Sequence, residues 1–184
     1  MDLRERVISI YSSAMKKDHN IDLTIKLAFE KIVNSNQRTA LALVTYLDEA
    51  FKKDFKLMNE AEMSERIDKI IYIFRYLDDK DKFESFYKNS FAKRLLDSRQ
   101  INDDAERILV SKLKEECGFT FTNSLETMFK DMKNSQELNT EYKTTVVGAR
   151  KVTNCDVNIK VLTAGDWPID GKENIPSSLP KSIS

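Results

Sequence analysis

The residues able to do chemistry are few in this chain, and their spacing limits what they can do. His19 is the single histidine, set in the polar stretch Lys17-Asp18-His19-Asn20. A zinc site or a Ser-His-Asp triad would have to be built around it alone, so it reads as a solvated residue at a helix–helix turn. Cys117 and Cys155 are far apart, with no Cys-x-x-Cys pattern, and read as reduced thiols of an intracellular protein. Asp78-Asp79-Lys80-Asp81 is the densest acidic cluster. It lacks the turn glycine and the closing bidentate glutamate of a calcium loop, and an aspartate there is expected to cap the next helix instead. Glu115-Glu116 and Asp103-Asp104 are adjacent pairs, which point apart on a helix and cannot share a substrate. The isolated glycines form neither a P-loop nor a dinucleotide fingerprint. No catalytic, cofactor-binding or metal-ligating set emerges, and no cofactor is expected.

Charge closes further options. Thirty basic residues are balanced by thirty acidic ones. Lys93-Arg94 with Arg99 forms a small basic site beside Phe91, but a balanced total argues against a nucleic-acid or membrane-surface protein. No apolar window is long enough for a bilayer, and the amino terminus lacks a signal-peptide h-region.

The elements that must position these residues are helices. All 4 glycines and all 3 prolines lie at or after Gly118. Glycine costs about 1 kcal/mol and proline about 3 kcal/mol inside a helix, so a 117-residue stretch without either favours helix throughout. Apolar residues recur at helical spacing in residues 4–17, in Leu23 to Val33 and in Leu41, Val44, Leu47, Phe51 and Phe55. Ile67, Ile70, Ile71, Phe74 and Leu77 give the strongest stripe, and Phe83, Phe86, Tyr87, Phe91 and Leu95 resume it. Residues 102–117 predict a helix with Asn102 or Asp103 as cap, Ile108, Leu109 and Leu113 inward, and Gly118 as its left-handed stop. Leu125, Met128, Phe129 and Met132 predict one more helix after Thr122-Asn123. Thr144-Thr145-Val146-Val147 is a weaker extended candidate. Val157, Ile159 and Val161 alternate with Asn158 and Lys160, the pattern of a half-buried strand, and the residues from Gly165 read as irregular chain. An unpaired strand edge on a helical scaffold points to an interaction protein.

Several blocks together resemble the cullins. The first is Ile73-Phe74-Arg75-Tyr76-Leu77-Asp78-Asp79-Lys80-Asp81-Lys82-Phe83, followed by Phe86-Tyr87 and Ala92-Lys93-Arg94-Leu95-Leu96. Asp103-Asp104-Ala105-Glu106 and Ser111-Lys112-Leu113-Lys114-Glu115-Glu116-Cys117-Gly118 come next. Leu125-Glu126-Thr127-Met128-Phe129-Lys130-Asp131-Met132 and Val161-Leu162-Thr163-Ala164-Gly165-Asp166-Trp167-Pro168 complete the set, which covers about residues 20–168.

The resemblance implies a mainly α fold: the elongated end of a helical repeat, a helical bundle, then a short β-strand beginning a truncated α/β module. Residues 1–35 would end the last cullin-type repeat, residues 36–145 would form the cullin homology bundle, and residues 146–184 would start the α/β module and an irregular tail. It also implies a non-catalytic scaffold of a cullin-RING ubiquitin ligase in cytoplasm or nucleus, serving ubiquitin-dependent protein degradation. Such a scaffold links a substrate-adaptor arm to a RING-box protein, which recruits the ubiquitin-conjugating enzyme, and a cullin-associated exchange factor is a further implied partner. Val157, Asn158, Ile159, Lys160, Val161 and Leu162 are the expected RING-box pairing segment. The adaptor-gripping repeats, the later sheet strands and the lysine that accepts the ubiquitin-like modifier have no counterpart here, so the chain reads as a piece of a longer one. With those strands missing, the segment is expected to dock on the bundle through Val157, Ile159 and Val161 or to pair with a neighbouring molecule. The competing reading is a free-standing helical adaptor that binds a peptide in an apolar groove.

Overall fold

A computed structural model describes residues 6, 9, 19–97, 103–148 and 158–169. Six α-helices follow one another: α1 (His19–Asn34), α2 (Thr39–Lys52), α3 (Glu60–Phe74), α4 (Lys80–Leu96), α5 (Asp103–Cys117) and α6 (Phe119–Gly148), with a 3₁₀ turn at Phe55–Leu57. The expected helix over residues 4–17 lies outside the described residues, as does Cys155.

Local chemistry sets the helix ends. Asn59 opens α3 with a capping box: its side chain accepts the Glu62 N–H at 2.9 Å, and the Glu62 carboxylate accepts the Asn59 N–H at 3.1 Å. The expected aspartate cap of α4 is not made. Asp79 occupies the cap position without bonding the backbone, and its carboxylate pairs with Lys82 at 2.6 Å. Lys80 turns back to donate to the Leu77 carbonyl at 2.8 Å, which closes the turn from the other side. Gly118 ends α5 at φ +85°, the left-handed stop that its type allows at low cost. Cys117 before it is half-buried, and burial pushes its thiol pKa up, as expected of a packing thiol.

The helix after Gly118 is longer than the pattern predicts. It begins at Phe119, carries Thr122 and Asn123 inside its first turns and continues through Thr144–Val147. Those β-branched residues are helical because extending an existing helix adds a hydrogen bond for each residue fixed. No strand is formed among the described residues.

Helices α2 and α4, α4 and α6, α6 and α5, and α5 and α3 are the closely packed pairs around a shared core. Helix α4 lies between α2 and α6 and carries the aromatic spine. Phe83, Tyr87 and Phe91, one turn apart, stack at 5.8 Å centroid spacing, flanked by Phe74 at 4.8 Å and Phe129 at 5.0 Å. Tyr76 is only half-buried and Phe86 is exposed, so the spine omits both.

Arg94 sits inside this core at 3% exposure, and is not part of a surface basic site. Its Nε donates to Glu106 at 2.5 Å and its Nη1 to Asp48 at 2.7 Å, while its guanidinium lies 4.6 Å from the Phe51 ring centroid. Glu106 is buried too, and its other oxygen accepts the Tyr87 hydroxyl at 2.6 Å. Burial pushes the Glu106 carboxyl up, and the Arg94 charge counteracts that shift without cancelling it. Arg99 lies outside the described residues.

The stabilities of four variants check this packing. Leu113 is fully buried, so Leu113→Ala should lower unfolding free energy by roughly 2–5 kcal/mol in urea titrations. Phe129→Ala should cost somewhat less than a fully buried phenylalanine would, because Phe129 is half-buried. Glu106→Ala leaves the buried Arg94 with Asp48 as its remaining carboxylate and should cost about 3–5 kcal/mol, whereas Arg94→Met with Glu106→Leu should cost less than that single change.

Candidate partner-binding segment

Helix α6 carries three short polar side chains one turn apart, Asp131, Ser135 and Asn139, and residues 158–163 run alongside them. Asn139 accepts the Ile159 N–H at 2.8 Å and donates to the Ile159 carbonyl at 2.6 Å. Ser135 accepts the Val161 N–H at 2.8 Å and donates to its carbonyl at 3.3 Å. Asp131 accepts the Thr163 N–H at 2.7 Å and the Thr163 hydroxyl at 2.8 Å. The order is antiparallel. Four helical residues rise about 6 Å and two extended residues about 6.6 Å, so alternate residues of an extended chain meet successive turns of α6.

The chain then turns. Gly165 adopts φ +89° between Thr163 and Asp166, whose N–H reaches the Thr163 carbonyl at 3.4 Å. A positive φ at the third position of such a turn favours glycine. Asp166 accepts the Ser124 hydroxyl at 2.9 Å, and Trp167 returns to the core at 7% exposure with its Nε1–H on Asp131 at 2.8 Å. Asp131 thus accepts three hydrogen bonds. Burial alone would raise its pKa, but those bonds outweigh it and hold the carboxyl below its ordinary value of 3.8.

This arrangement corrects two expectations. The segment Asn158–Leu162 is extended but is not part of a sheet; the partner of its backbone is a helix's side chains. Its faces are also reversed. Ile159 and Val161 point outward, at 52% and 53% exposure, while Lys160 and Leu162 are half-buried. Lys160 donates from Nζ to the Leu96 carbonyl at the end of α4, at 2.5 Å. Docking on the bundle therefore runs through the Ile159 and Val161 backbones and the Lys160 and Leu162 side chains. Val157 lies outside the described residues.

Because N–H and C=O groups of an extended chain alternate sides, those of Lys160 and Leu162 face away from α6. Among the described residues they have no backbone partner. The outward edge and the exposed Ile159 and Val161 side chains form one strip. Asp131, Ser135 and Asn139 were not singled out from the sequence, although their i, i+4, i+8 spacing was a readable polar stripe. Among the described residues no group of three or more His, Cys, Asp or Glu side chains is placed to hold a metal ion, and no helix is long and apolar enough to cross a membrane.

Trp167 is the one tryptophan of the chain, so its emission reports the seating of this segment. Because the folded-state pKa of Asp131 is depressed, its contribution is present above about pH 4 and is lost as pH falls through the folded-state value. Trp167 emission should therefore shift to the red on acidification below pH ~4, and Asp131→Asn should produce that shift at neutral pH. An unchanged emission maximum in Asp131→Asn would remove Asp131 from this role.

The matches to known proteins fit these motifs. Residues 1–139 match the cullin α-solenoid domain family. The whole chain aligns with Cullin-3 and Cullin-4 of Dictyostelium discoideum at 39% and 36% identity and with Cullin-3A of Arabidopsis thaliana at 35%. It spans about a quarter of their length, 24%, 23% and 25% respectively. With the family match over residues 1–139 and an alignment that runs the whole length of this chain, the chain belongs to the cullin family.

Proposed function

We propose that this chain is a non-catalytic part of the scaffold of a cullin-RING ubiquitin ligase, holding a substrate-adaptor arm at a fixed distance from a RING-box protein in protein ubiquitination. The observation that supports this best is the strip at residues 158–162. One edge of it is fastened to α6, while the other offers backbone groups and the apolar side chains of Ile159 and Val161. A partner strand adding to that edge would take its affinity from main-chain bonds and its specificity from the exposed side chains. A fixed distance requires a stiff body, which the aromatic spine of α4 supplies. The domain reading follows the same logic: residues 1–35 end a repeat, residues 36–145 are the bundle, and residues 146–184 begin the module that meets the RING-box protein. The exchange factor is a further partner that family membership suggests.

The peptide-binding adaptor finds less support. The cleft between α5, α6 and the extended segment is lined by Arg107, Lys133, Gln136, Asn139 and Lys143 beside Phe129 and Met132, and is not an apolar groove.

A single short edge is a weak docking site, because isolated strand pairs are marginal in water. The 184-residue chain should bind a RING-box protein weakly in a pull-down, and a version continued through the cullin sequence downstream should bind tightly. In that longer protein, Ile159→Asp with Val161→Asp should abolish binding while changing stability by no more than about 0.5 kcal/mol per site, as exposed substitutions do. Undiminished binding by the double variant would place the docking site elsewhere.

A further inference from the structure

At the joint between α1 and the helices after it, the Thr39 hydroxyl donates to the Val33 carbonyl at 2.7 Å, and the Asn34 side chain reaches the α3–α4 turn. Asn34, the last residue of α1, is half-buried. Its Nδ2 donates to the Tyr76 carbonyl at 2.7 Å, and its Oδ1 accepts the Asp78 N–H at 3.1 Å. Those two groups flank Leu77 in the α3–α4 turn, where neither belongs to a helix. The Asn34 amide therefore acts as a peptide unit would in a strand pair, donating to residue i and accepting from residue i+2.

Two features make this contact more than a helix cap. First, the turn it grips is rigid. Leu77 is buried in the core at 3% exposure, and its carbonyl is held by Lys80. Second, α1 is not among the closely packed helix pairs of the described residues. Its apolar contacts are few: Val33 packs against the core, and Phe29 lies 6.2 Å from the Tyr76 ring, which meets Tyr72 edge-on at 5.1 Å. A ring contact holds distance but allows rocking, and a single hydrogen bond allows swivelling. Two parallel bonds to residues two apart remove that rotation.

We propose that Asn34 is a positioning residue that locks the angle between α1 and the bundle by gripping the α3–α4 turn with its amide. The purpose of such a lock rests on the scaffold reading, but its existence does not.

The test is the geometry of the joint, measured in the full chain with Cys117→Ser and Cys155→Ser. Spin labels at Lys26→Cys on α1 and Lys93→Cys on α4, both exposed positions, give a distance distribution by double electron–electron resonance. Asn34→Ala removes both bonds. Asn34→Asp keeps the acceptor but turns an anion toward the Tyr76 carbonyl. Both should broaden a distribution that is narrow with Asn34 present. Because Asn34 also donates to its own Glu30 carbonyl at 3.0 Å, hydrogen exchange across α1 is the necessary second readout. Broadening with α1 amide protection retained supports the lock. A distribution that stays narrow overturns it, and so does broadening that accompanies lost protection in α1, since Asn34 would then be only a cap. RING-box binding enters neither readout, so a failure of this proposal and a failure of the functional reading are separable.

Discussion

The structure depends most on a charge that had to be buried. Arg94 lies on α4 inside the core, and its partners come from two other helices: Asp48 on α2 and Glu106 on α5. Taking a guanidinium and a carboxylate out of water costs several kcal/mol each, so the pair adds little net stability. Its effect is on alternatives. A sliding or rotation of α2 or α5 against α4 would leave a buried charge without its partner, while a purely apolar interface would tolerate the shift. The Phe51 and Tyr87 rings lie 4.6 and 5.5 Å from the guanidinium, which is nearly removed from solvent. Register among three helices is therefore set electrostatically, and the Phe91–Phe129 contact passes that register to α6.

The placement of α6 matters because the helix serves as half of a strand pair. A helix presents one residue type every fourth position, about 6 Å apart, and an extended chain presents one backbone edge every second residue, about 6.6 Å apart. The mismatch of roughly 0.6 Å per rung is small over three rungs and grows beyond them. Short polar side chains absorb it within hydrogen-bond range. After the third rung the chain leaves the helix at the Gly165 turn, and Asp131 keeps its remaining capacity for Trp167. Within the Thr-Ala-Gly-Asp-Trp-Pro sequence, Thr163, Gly165, Asp166 and Trp167 thus act together as a latch.

Much of the helical core was legible in the sequence because the signals were redundant. The absence of glycine and proline before residue 118 and the periodic apolar stripes point to the same helices, and Leu113, Tyr87 and Phe91 are buried as those stripes require. The failures arise where local pattern is overridden. Each concerns a residue whose state is decided by surroundings that its own local pattern does not show. Arg94 reads as a surface cation until Glu106 and Asp48 are placed beside it. Thr144–Val147 read as extended because β-branched residues favour strands locally, but they sit at the end of a helix already nucleated. Ile159 and Val161 alternate correctly, yet alternation gives two faces and not which one is covered. The covering face was decided by Lys160 and Leu162, which reach the end of α4 and the core.

The two attachments at opposite ends of the described chain use one physical device. At the α1 joint, the Asn34 amide satisfies a carbonyl and an N–H in the α3–α4 turn. Along α6, Asn139 does the same for Ile159, with Ser135 and Asp131 continuing the row. In each case backbone groups outside regular secondary structure would otherwise need water or a partner, and leaving them buried and unpaired would be costly. A side chain rooted in a helix answers that need and, in doing so, ties an irregular segment to a rigid body at two points. A helical body is stiff along its packed helices and loose where they are joined. A molecule that must hold its ends at a set separation gains most by stiffening such attachments, and Asn34 and Asn139 stand at these two.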